Sequence, residues 1–412
     1  MSTSVADGPL GGIRILDLTS VIMGPFATHI LADLGADVIK VESPQGDSLR
    51  YQKPLRHPGM SGSFLNLHRN KRSIVLDLKQ PECRSALNRL IGTADVFVHS
   101  LRPKTIAGLG YSYEQVRAIK PDIIYCGACG FGAAGPYGDK PAYDDAIQAG
   151  SGMAALHAQL HGEPGYIPTV VCDKLSGQAV AYSILAALFQ RARGRGGQAI
   201  EVAMLETSIE FNLAEHLGGF AFVPALGEPG YSRLLEARRK PYRTQDGYAC
   251  ILPYSDRNWQ DFYDFTGRTE FKHDPRFRAL PERVENIAIL YTVIEEEAVK
   301  RTTAEWVAFC DRVSIPCMPV LSLSDLPQDP HVQAVGLFGT AEHPSEGRYR
   351  TMRSPVSFSA SPFRIRRHAP RLGQHTAEVL AEAGLSVREI QTIMQASTAM
   401  TPDPNTRETN QP

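Results

Sequence analysis

The sequence predicts an α/β protein in two parts: a larger Rossmann-like domain built on a parallel sheet and a smaller α+β domain. Apolar runs typical of buried strands alternate with helical segments through the first half of the chain. The chain has 412 residues, more than one hydrophobic core usually holds. Near Pro224 the composition changes, and glycine, charged and turn residues become frequent. We therefore expect the second part to begin there.

The first predicted unit is a strand over 13–18, a helix over 24–34 and a strand over 37–42. Pro25 in the first turn of the helix and Gly35 after its end match the preferences of helix termini. A strand, a helix and a parallel strand form a βαβ unit. Its first turn, TSVIMGP, lacks the G-x-G-x-x-G of dinucleotide sites, so we expect neither NAD nor a nicotinamide oxidoreductase.

The same alternation continues along the chain. The further elements predicted for the large domain are strands at 73–78, 95–99, 122–126 and 199–204, and helices at 81–92, 113–119 and 206–217. Basic residues lie in two loops beside these strands, Lys71 and Arg72 in one and Arg102 and Lys104 in the other. Such side chains are usually solvated when taken singly, but together they suit a phosphate-bearing ligand.

The segment from 168 to 197 contains the most informative aspartate. A β-branched run that we predict to be a strand ends at Asp173, and an apolar helix that we expect to be buried follows. An aspartate in this place is commonly a helix N-cap. The alternative is a carboxylate that the helix dipole keeps ionised and that is available as a nucleophile. The local sequence is compatible with both.

Turn residues and composition give the domain boundaries. We expect the first part of the large domain at 1–223, a linker and the small domain at 224–330, a segment that completes the large domain at 331–396, and a disordered tail at 397–412. Asp246 and Gly247 predict a hairpin turn in the small domain, with helices after it.

Several function classes are excluded by composition and motifs. The net charge of −1 gives no electrostatic basis for binding nucleic acid or a membrane. The chain shows no signal peptide and no membrane-spanning run, and its seven scattered cysteines do not suggest a disulfide framework, so we expect a cytoplasmic protein. We expect no metal, because Cys126-x-x-Cys129 has no second pair at zinc spacing. A P-loop and a G-x-S-x-G motif are absent.

Six segments, in order, resemble a known family: DLTSVIMGPFATHILADLGADVIKVESPQGD, NKRSIVLDLKQPE, RPKTIAGLGYSYEQV, RGRGGQAIEVAML, PYRTQDGYACI and RLGQHTAEVL. They are similar to the class III CoA-transferases, which include formyl-CoA and carnitine CoA-transferases and α-methylacyl-CoA racemases. The resemblance covers nearly the whole chain. It implies a Rossmann-like large domain made from both chain ends, an interlocked homodimer, and acyl-CoA and a small carboxylic acid as substrates. It also implies that Asp173 is the catalytic nucleophile.

The resemblance further places coenzyme A on the basic loops, with Lys71, Arg72, Arg102 and Lys104 as candidate contacts and Val21 beside them. The family commonly has an Asn-aromatic pair before the second loop, where this chain has Ser100-Leu101. The adenine contact is therefore expected to differ.

The choice between branches of the family rests on the pocket candidates Tyr143, Asp144 and Ile22. Racemases of this fold have a His-Asp dipeptide where this chain has Tyr143-Asp144. An ordinary tyrosine is a poor base at neutral pH, which favours the transferase. Ile22 replaces a glutamine of formyl-CoA transferase-like members, which favours an acid other than oxalate. The alternatives are a racemase-like isomerase and a catalytically silent CoA-binding partner.

Overall fold

The computed structural model describes residues 8–398, which fold into two compact units. The larger unit contains the described residues up to 152, together with 166–211 and the residues from 335 onward. The smaller unit contains 153–165 and 212–334. Among residues 8–398, no helix combines the length and the apolar character that crossing a membrane requires.

The larger unit is built on a six-stranded sheet whose strands are all parallel, as predicted. Its strands are β1 (Arg14–Leu18), β2 (Asp37–Glu42), β3 (Lys71–Val75), β4 (Val96–His99), β5 (Ile124–Cys129) and β6 (Ala199–Ala203). Their spatial order is β3-β2-β1-β4-β5-β6. Leu16 on β1 pairs with Ile39 on one side and Phe97 on the other, and all three side chains are fully buried. This is the strand order of the Rossmann fold.

Sixteen α-helices occur among the described residues. They are α1 (Met23–Asp33), α2 (Gly62–Leu67), α3 (Pro81–Thr93), α4 (Pro103–Gly108), α5 (Tyr113–Ile119), α6 (Asp144–Gly150), α7 (Met153–His161), α8 (Val171–Gln190), α9 (Met204–His216), α10 (Asp256–Thr266), α11 (Leu280–Glu285), α12 (Ile287–Ala298), α13 (Thr303–Val313), α14 (Pro330–Ala334), α15 (Thr376–Glu382) and α16 (Val387–Thr398). The last helix includes the first two residues of the predicted tail, and 399–412 lie outside the described residues.

The chain returns to the larger unit along its edge strand β3. The backbone amide of Ser73 donates to Nδ1 of His375 (3.2 Å), and the amide of His375 donates to the Ser73 carbonyl (2.9 Å). The Val75 amide donates to the Thr376 hydroxyl (3.1 Å). These contacts satisfy backbone groups that an open sheet edge leaves unpaired, so the return segment covers the edge of the sheet. A separate hairpin, β10 (Phe338–His343) and β11 (Gly347–Met352), precedes it.

The smaller unit has its own aromatic core. Its antiparallel sheet contains β7 (Tyr242–Arg243), β8 (Tyr248–Ile251) and β9 (Cys317–Pro319), and the predicted Asp246-Gly247 turn joins the first two strands. Trp259, Phe262 and Trp306 pack beside this sheet and are almost fully buried. The unit is therefore α+β.

One local prediction was wrong. The run before Asp173 is not a strand, because α8 begins at Val171 and makes Asp173 the third residue of the helix. The residue at the N-cap position is Val170, whose side chain makes no capping hydrogen bond. Asp173 is therefore a first-turn acid of α8, and it is not the N-cap.

Candidate active site

The candidate site lies where the strand order of the sheet reverses, between β1 and β4. In open parallel sheets, ligands bind in the crevice at the carboxyl ends of the strands at such a reversal. A cleft of about 480 Å³ opens there, lined from the ends of four strands by residues that include Ser20, Ser43, Lys79 and Leu101. Ser20 at the end of β1 donates from its amide to the Ser100 hydroxyl (3.2 Å), which ties this loop to the loop after β4.

Asp173 does not line this cleft itself, and it lies in the first turn of the twenty-residue helix α8. Asp173 is 9% exposed, so its carboxylate is almost surrounded by protein. It is joined to the cleft from two sides. On one side Val21 lines the cleft, and the backbone amide of Met23, two residues later, lowers the pKa of the Asp173 carboxyl. On the other side Tyr143 lines the cleft and Asp144 contacts the Asp173 backbone.

The contact with Met23 depends on a close approach between α1 and α8. Gly177 lies one turn after Asp173, and a Cβ atom at Gly177 would lie 2.6 Å from the Met23 carbonyl oxygen and 3.1 Å from Phe26. A larger residue would therefore push α1 away from α8. Met23 is the first residue of α1, so its amide is one of the donors that a helix N-terminus leaves unpaired. The Asp173 carboxylate thus lies at the N-termini of two helices.

Asp144 acts as a cap for α8 that comes from another helix. Its Oδ1 accepts from the backbone amide of Asp173 (3.0 Å), and its Oδ2 accepts from the Gln148 side chain (2.6 Å). Gln148 also accepts from the Ile167 amide (2.8 Å), which holds the segment that enters α8. Asp144 is 3% exposed, and it is the first residue of α6. Asp144 therefore fixes the start of α8 in place of a capping side chain at the N-cap position.

Burial raises the pKa of the Asp173 carboxyl to about 6, and the negative charge of Asp144 adds to the increase. The Met23 amide and the nearby Lys174 act in the opposite direction. At neutral pH most Asp173 side chains are therefore ionised, while the carboxylate is more basic than an exposed one. Burial also raises the pKa of the adjacent Cys172 thiol to about 11, so Cys172 is not a competing thiolate at neutral pH.

Val21 is held in a conformation that its side chain disfavours. Its φ of 68° is in the left-handed region, where a β-branched residue is a clear outlier. Its amide donates to the carboxylate of Asp47 (3.2 Å), which in turn pairs with the buried Lys40 (2.9 Å). Strained residues of this kind concentrate at functional sites. No local residue pattern indicates this strain.

Lys71 does not line the cleft, because its ammonium group is buried beneath α1. It lies 3.4 Å from the Asp17 carboxylate and donates to the Thr28 hydroxyl (2.7 Å) and the Pro25 carbonyl (3.0 Å). Burial lowers the pKa of Lys71 to about 8, although Asp17 acts to raise it. Asp17 also accepts from the amide of Thr19 (2.9 Å), so this group of charges holds both the β1 loop and the first turns of α1.

Arg72 lies at the opposite end of the sheet. Its guanidinium pairs with Asp37, the first residue of β2 (2.6 Å), and with Glu382 (2.7 Å) and Glu378 (3.0 Å). These contacts link β2 to α15, and Arg72 lines a different cleft together with Arg14. The structure therefore does not bring Arg72 together with Asp173.

The loop after β4 carries the other two predicted cations. Arg102 is exposed and donates to the Asp139 carbonyl (3.2 Å), while Lys104 is exposed and pairs with the Asp139 carboxylate (2.7 Å). Leu101, the residue before Arg102, lines the cleft. Both cations are therefore exposed side chains of a loop that contributes Leu101 to the cleft lining.

The remaining predicted residues are chain neighbours of Met23 and Asp144, the two residues that act on Asp173. Ile22 is the N-cap residue of α1 and is partly buried beside Met23. Tyr143 is 71% exposed at the start of α6 and lines the cleft. Lys79, which the sequence did not single out, also lines the cleft with an exposed side chain. Its position directly after a predicted parallel strand could have identified it as a candidate, because ligands bind at the carboxyl ends of such strands.

Among residues 8–398, no three histidine, cysteine or acidic side chains are grouped so that they could hold a metal ion.

The chain is similar to known proteins over most of its length. It matches the sequence profile of CoA-transferase family III over residues 10–376. It is 33% identical to the succinate–glutarate CoA-transferase of Agrobacterium fabrum over 91% of this chain and 95% of that protein. It is 31% identical to the formyl-CoA:oxalate CoA-transferase of Afipia carboxidovorans over 90% of this chain and 93% of that protein.

Solved structures give the same result for the fold. A CAIB/BAIF family protein from Brucella suis is 30% identical and superimposes with a TM-score of 0.78, covering 92% of this chain and 100% of that chain. A crystal structure of a Mycobacterium tuberculosis protein is 29% identical with a TM-score of 0.80, covering 90% of this chain and 99% of that chain.

Proposed function

This chain belongs to CoA-transferase family III and is a class III CoA-transferase, and on that premise we propose that Asp173 is its covalent nucleophile. The observation that carries the proposal is the environment of this carboxylate. It lies in the first turn of α8 and is almost fully buried, the Met23 amide favours its ionised form, and its pKa is about 6. Such a carboxylate is ionised at neutral pH and is more nucleophilic than an exposed aspartate.

The first half of the proposed reaction transfers the acyl group and then CoA to the enzyme. An oxygen of the Asp173 carboxylate attacks the thioester carbonyl of the acyl-CoA, and the C–S bond breaks to give a mixed aspartyl-acyl anhydride and the CoA thiolate. The thiolate attacks the aspartyl carbonyl carbon of the anhydride. The first acid then leaves as a carboxylate, and Asp173 is held as a thioester of CoA.

The second half runs the same steps in reverse with another acid. The incoming carboxylate attacks the aspartyl thioester, which releases the CoA thiolate and forms a second anhydride. The thiolate attacks the new acyl carbonyl, so that the new acyl-CoA leaves and the Asp173 carboxylate is restored. Each step exchanges one activated acyl group for another, so ATP is not needed.

The surrounding groups support this sequence of steps. The Met23 amide favours the ionised Asp173 carboxylate at the start, and it is placed to stabilise the negative charge that develops on the aspartyl oxygen when the thiolate or the incoming acid adds to the aspartyl carbonyl carbon. The positive ends of α1 and α8 act in the same direction. Asp144 holds the Asp173 backbone in register, and its charge raises the basicity of the nucleophile.

We place CoA in the cleft at the carboxyl ends of the strands. Val21 and Lys79 both line it, and the side chain of Lys79 is exposed. Arg102 and Lys104 are proposed to reach phosphate oxygens from the adjacent loop. Lys71 is proposed to act indirectly, by holding the β1 loop and α1 in place.

Small dicarboxylic acids are the proposed substrate class. The Agrobacterium relative is named for succinate and glutarate, and this pair gives the first donor and acceptor to test. Ile22 next to Met23 gives an apolar side chain near the nucleophile. An apolar contact suits the methylene groups of these acids better than it suits oxalate, which has none.

We also propose a cytoplasmic homodimer. The segment 217–226 of the smaller unit exposes five large apolar side chains: Leu217, Phe220, Phe222, Val223 and Leu226. A patch of this kind is typical of a protein interface. A second copy of the chain is the proposed occupant because the family resemblance implies an interlocked dimer. Light scattering after size-exclusion chromatography measures the mass directly, and a monomer at micromolar concentration would contradict this part of the proposal.

The nucleophile is tested by trapping. The protein is incubated with succinyl-CoA, quenched with hydroxylamine or borohydride, and analysed by intact mass and peptide mapping. We expect a modification on the peptide containing Asp173, none in Asp173→Ala, and an unchanged result in the control Asp145→Ala, which alters an exposed carboxylate one residue after Asp144. Modification at another carboxylate would overturn the assignment. Exchange of the acyl α-hydrogen with solvent deuterium, without transfer of CoA, would instead indicate an isomerase.

A further inference from the structure

A second polar cleft lies beside the edge strand β3, where the chain returns to the larger unit. It has a volume of about 480 Å³ and is lined by the turn of the β10–β11 hairpin and by residues 367–375. Its polar lining consists of Arg367, Arg371, His368, His375, Gln374 and Ser345, above the buried His343. None of these residues lines the cleft at the carboxyl ends of β1–β4.

The two arginines bring positive charge to this cleft. Both side chains are exposed, and no carboxylate among residues 8–398 forms an ion pair with either guanidinium within 4.0 Å. The cleft itself has no aspartate or glutamate in its lining. Glu346 follows Ser345 in the chain, but its carboxylate is buried and is held by His57 (3.0 Å) and the Ser345 hydroxyl (2.8 Å).

The histidines present hydrogen-bond donors. The Ser73 amide donates to Nδ1 of His375, so the neutral ring carries its hydrogen on Nε2. Nδ1 of His368 lies 3.0 Å from the Tyr349 hydroxyl. When that hydroxyl donates, the neutral His368 ring also carries its hydrogen on Nε2. Burial lowers the pKa of both rings, so they are neutral donors near pH 7. Both histidines line the cleft.

Gln374 adds a further donor. Its side-chain oxygen accepts from the Arg371 amide (2.9 Å), so its NH₂ group remains available to donate. The floor is fixed in place, because Nδ1 of His343 accepts from the amides of Ser345 (3.1 Å) and Glu346 (3.2 Å). The cleft therefore combines two guanidinium groups and three neutral donors, and no aspartate or glutamate is among its lining residues.

We propose that this cleft is a binding site for a small dianionic ligand, a phosphate monoester or a dicarboxylate, separate from the acyl-CoA cleft. Guanidinium groups match the paired oxygens of phosphate and carboxylate. The neutral N–H donors complete the coordination of an oxyanion without requiring further charge. The site goes beyond the transferase activity, because none of its residues contacts Asp173 or lines the acyl-CoA cleft.

The test uses the full-length protein saturated with CoA, so that the acyl-CoA cleft is already filled. Inorganic phosphate and succinate are titrated separately by calorimetry, and ¹⁵N-labelled histidine signals report whether His375 is contacted. We expect one of the two anions to bind with a shift of the His375 Nε2 signal. Arg367→Ala and Arg371→Ala should each weaken that binding about tenfold or more, as expected for the loss of a charge-assisted hydrogen bond.

Arg364→Ala is the matched control, because Arg364 is an exposed arginine of the same segment that does not line the cleft. It should bind the anion as the unmodified protein does. Thermal melting checks that all three variants are folded. Binding that CoA abolishes, equal weakening in Arg364→Ala, or no binding of either anion to folded protein would each overturn the proposal. If phosphate binds and succinate does not, the ligand is a phosphate compound, and the reverse result identifies a dicarboxylate.

Discussion

Replacing Asp144 by asparagine should shift the acid side of the pH–rate profile to lower pH. Asp144 contacts the Asp173 amide, and its charge is the second cause, after burial, of the raised pKa of Asp173. Asparagine keeps an oxygen that can accept from the Asp173 amide but removes the charge. Because the attacking carboxylate must be ionised, the pH at which the rate falls reports the pKa of Asp173 in the free enzyme.

The size of the effect follows from the titration of one group. With a pKa of about 6, Asp173 is ionised in about 9% of molecules at about pH 5 and in roughly 90% at about pH 7, so kcat/KM should fall about tenfold between them. Burial is the larger cause and remains in Asp144→Asn. The acid limb of the variant should therefore lie between about 6 and the ordinary aspartate value of 3.8. The ratio of its rates at the two pH values should be clearly below tenfold.

The assay is the transfer of CoA from succinyl-CoA to glutarate, followed by chromatography, with kcat/KM for succinyl-CoA measured across the acid range. Asp145→Asn is the control, because it removes an exposed carboxylate from the same turn of α6. Melting curves at each pH show that the proteins remain folded. An acid limb that stays at the same pH in folded Asp144→Asn, or that shifts equally in Asp145→Asn, would refute the reasoning.

Three further variants test the site. Asp173→Asn should abolish transfer but raise the melting temperature, because folding raises the carboxyl pKa from 3.8 to about 6. The Asp173 carboxylate therefore lowers the free energy of unfolding by up to about 3 kcal/mol above pH 6, and it has no such effect below the pKa of the unfolded state. A lower melting temperature of the variant at pH 8 would contradict this. Lys71→Met should lower the free energy of unfolding by about 3 kcal/mol, because it removes the cation that pairs with the buried Asp17 and leaves Lys40 as the other cation that acts on that carboxylate. An unchanged denaturation midpoint with a raised KM for acyl-CoA would instead make Lys71 a ligand contact. Gly177→Ala should lower kcat by displacing the first turn of α1 from the nucleophile, and unchanged kcat in the folded variant would show that the Met23 amide is not needed.

The parallel sheet could be predicted from the sequence because its signals are local. Apolar runs of strand length, helices with proline near the start and glycine after the end, and short connections are all read within a few residues. The helix over Tyr113–Ile119 was predicted at its observed bounds. The crevice between β1 and β4 could not be predicted in this way, because it depends on the strand order of the sheet, which no single segment contains.

The start of α8 was mispredicted because its cap is not local. The residues Thr169, Val170 and Val171 have the β-branched side chains typical of a strand. The helix nevertheless begins at Val171, since Asp144 satisfies the Asp173 amide from a position 29 residues earlier in the chain. A sequence pattern read over a few residues cannot include such a contact.

The basic loops show the same limit for charge. Lys71 and Lys79 lie eight residues apart, and both look like solvent-exposed cations in the sequence. The structure buries Lys71 against Asp17 and leaves Lys79 exposed in the cleft lining. Which of two lysines is internal depends on a carboxylate on another strand. Composition can therefore indicate an anion-binding loop but cannot assign the residue that contacts the anion.

A chain of internal contacts explains how the nucleophile is held before any ligand binds. The buried Lys40 pairs with Asp47 (2.9 Å), and Asp47 accepts the amide of the strained Val21 (3.2 Å). Two residues later the Met23 amide reaches the Asp173 carboxylate. Buried ion pairs are costly in desolvation and add little net stability, so their value here lies in fixing the loop after β1. Because the contacts are complete within the chain, the donor that faces Asp173 is oriented in advance, which is the arrangement that stabilises a developing charge most effectively.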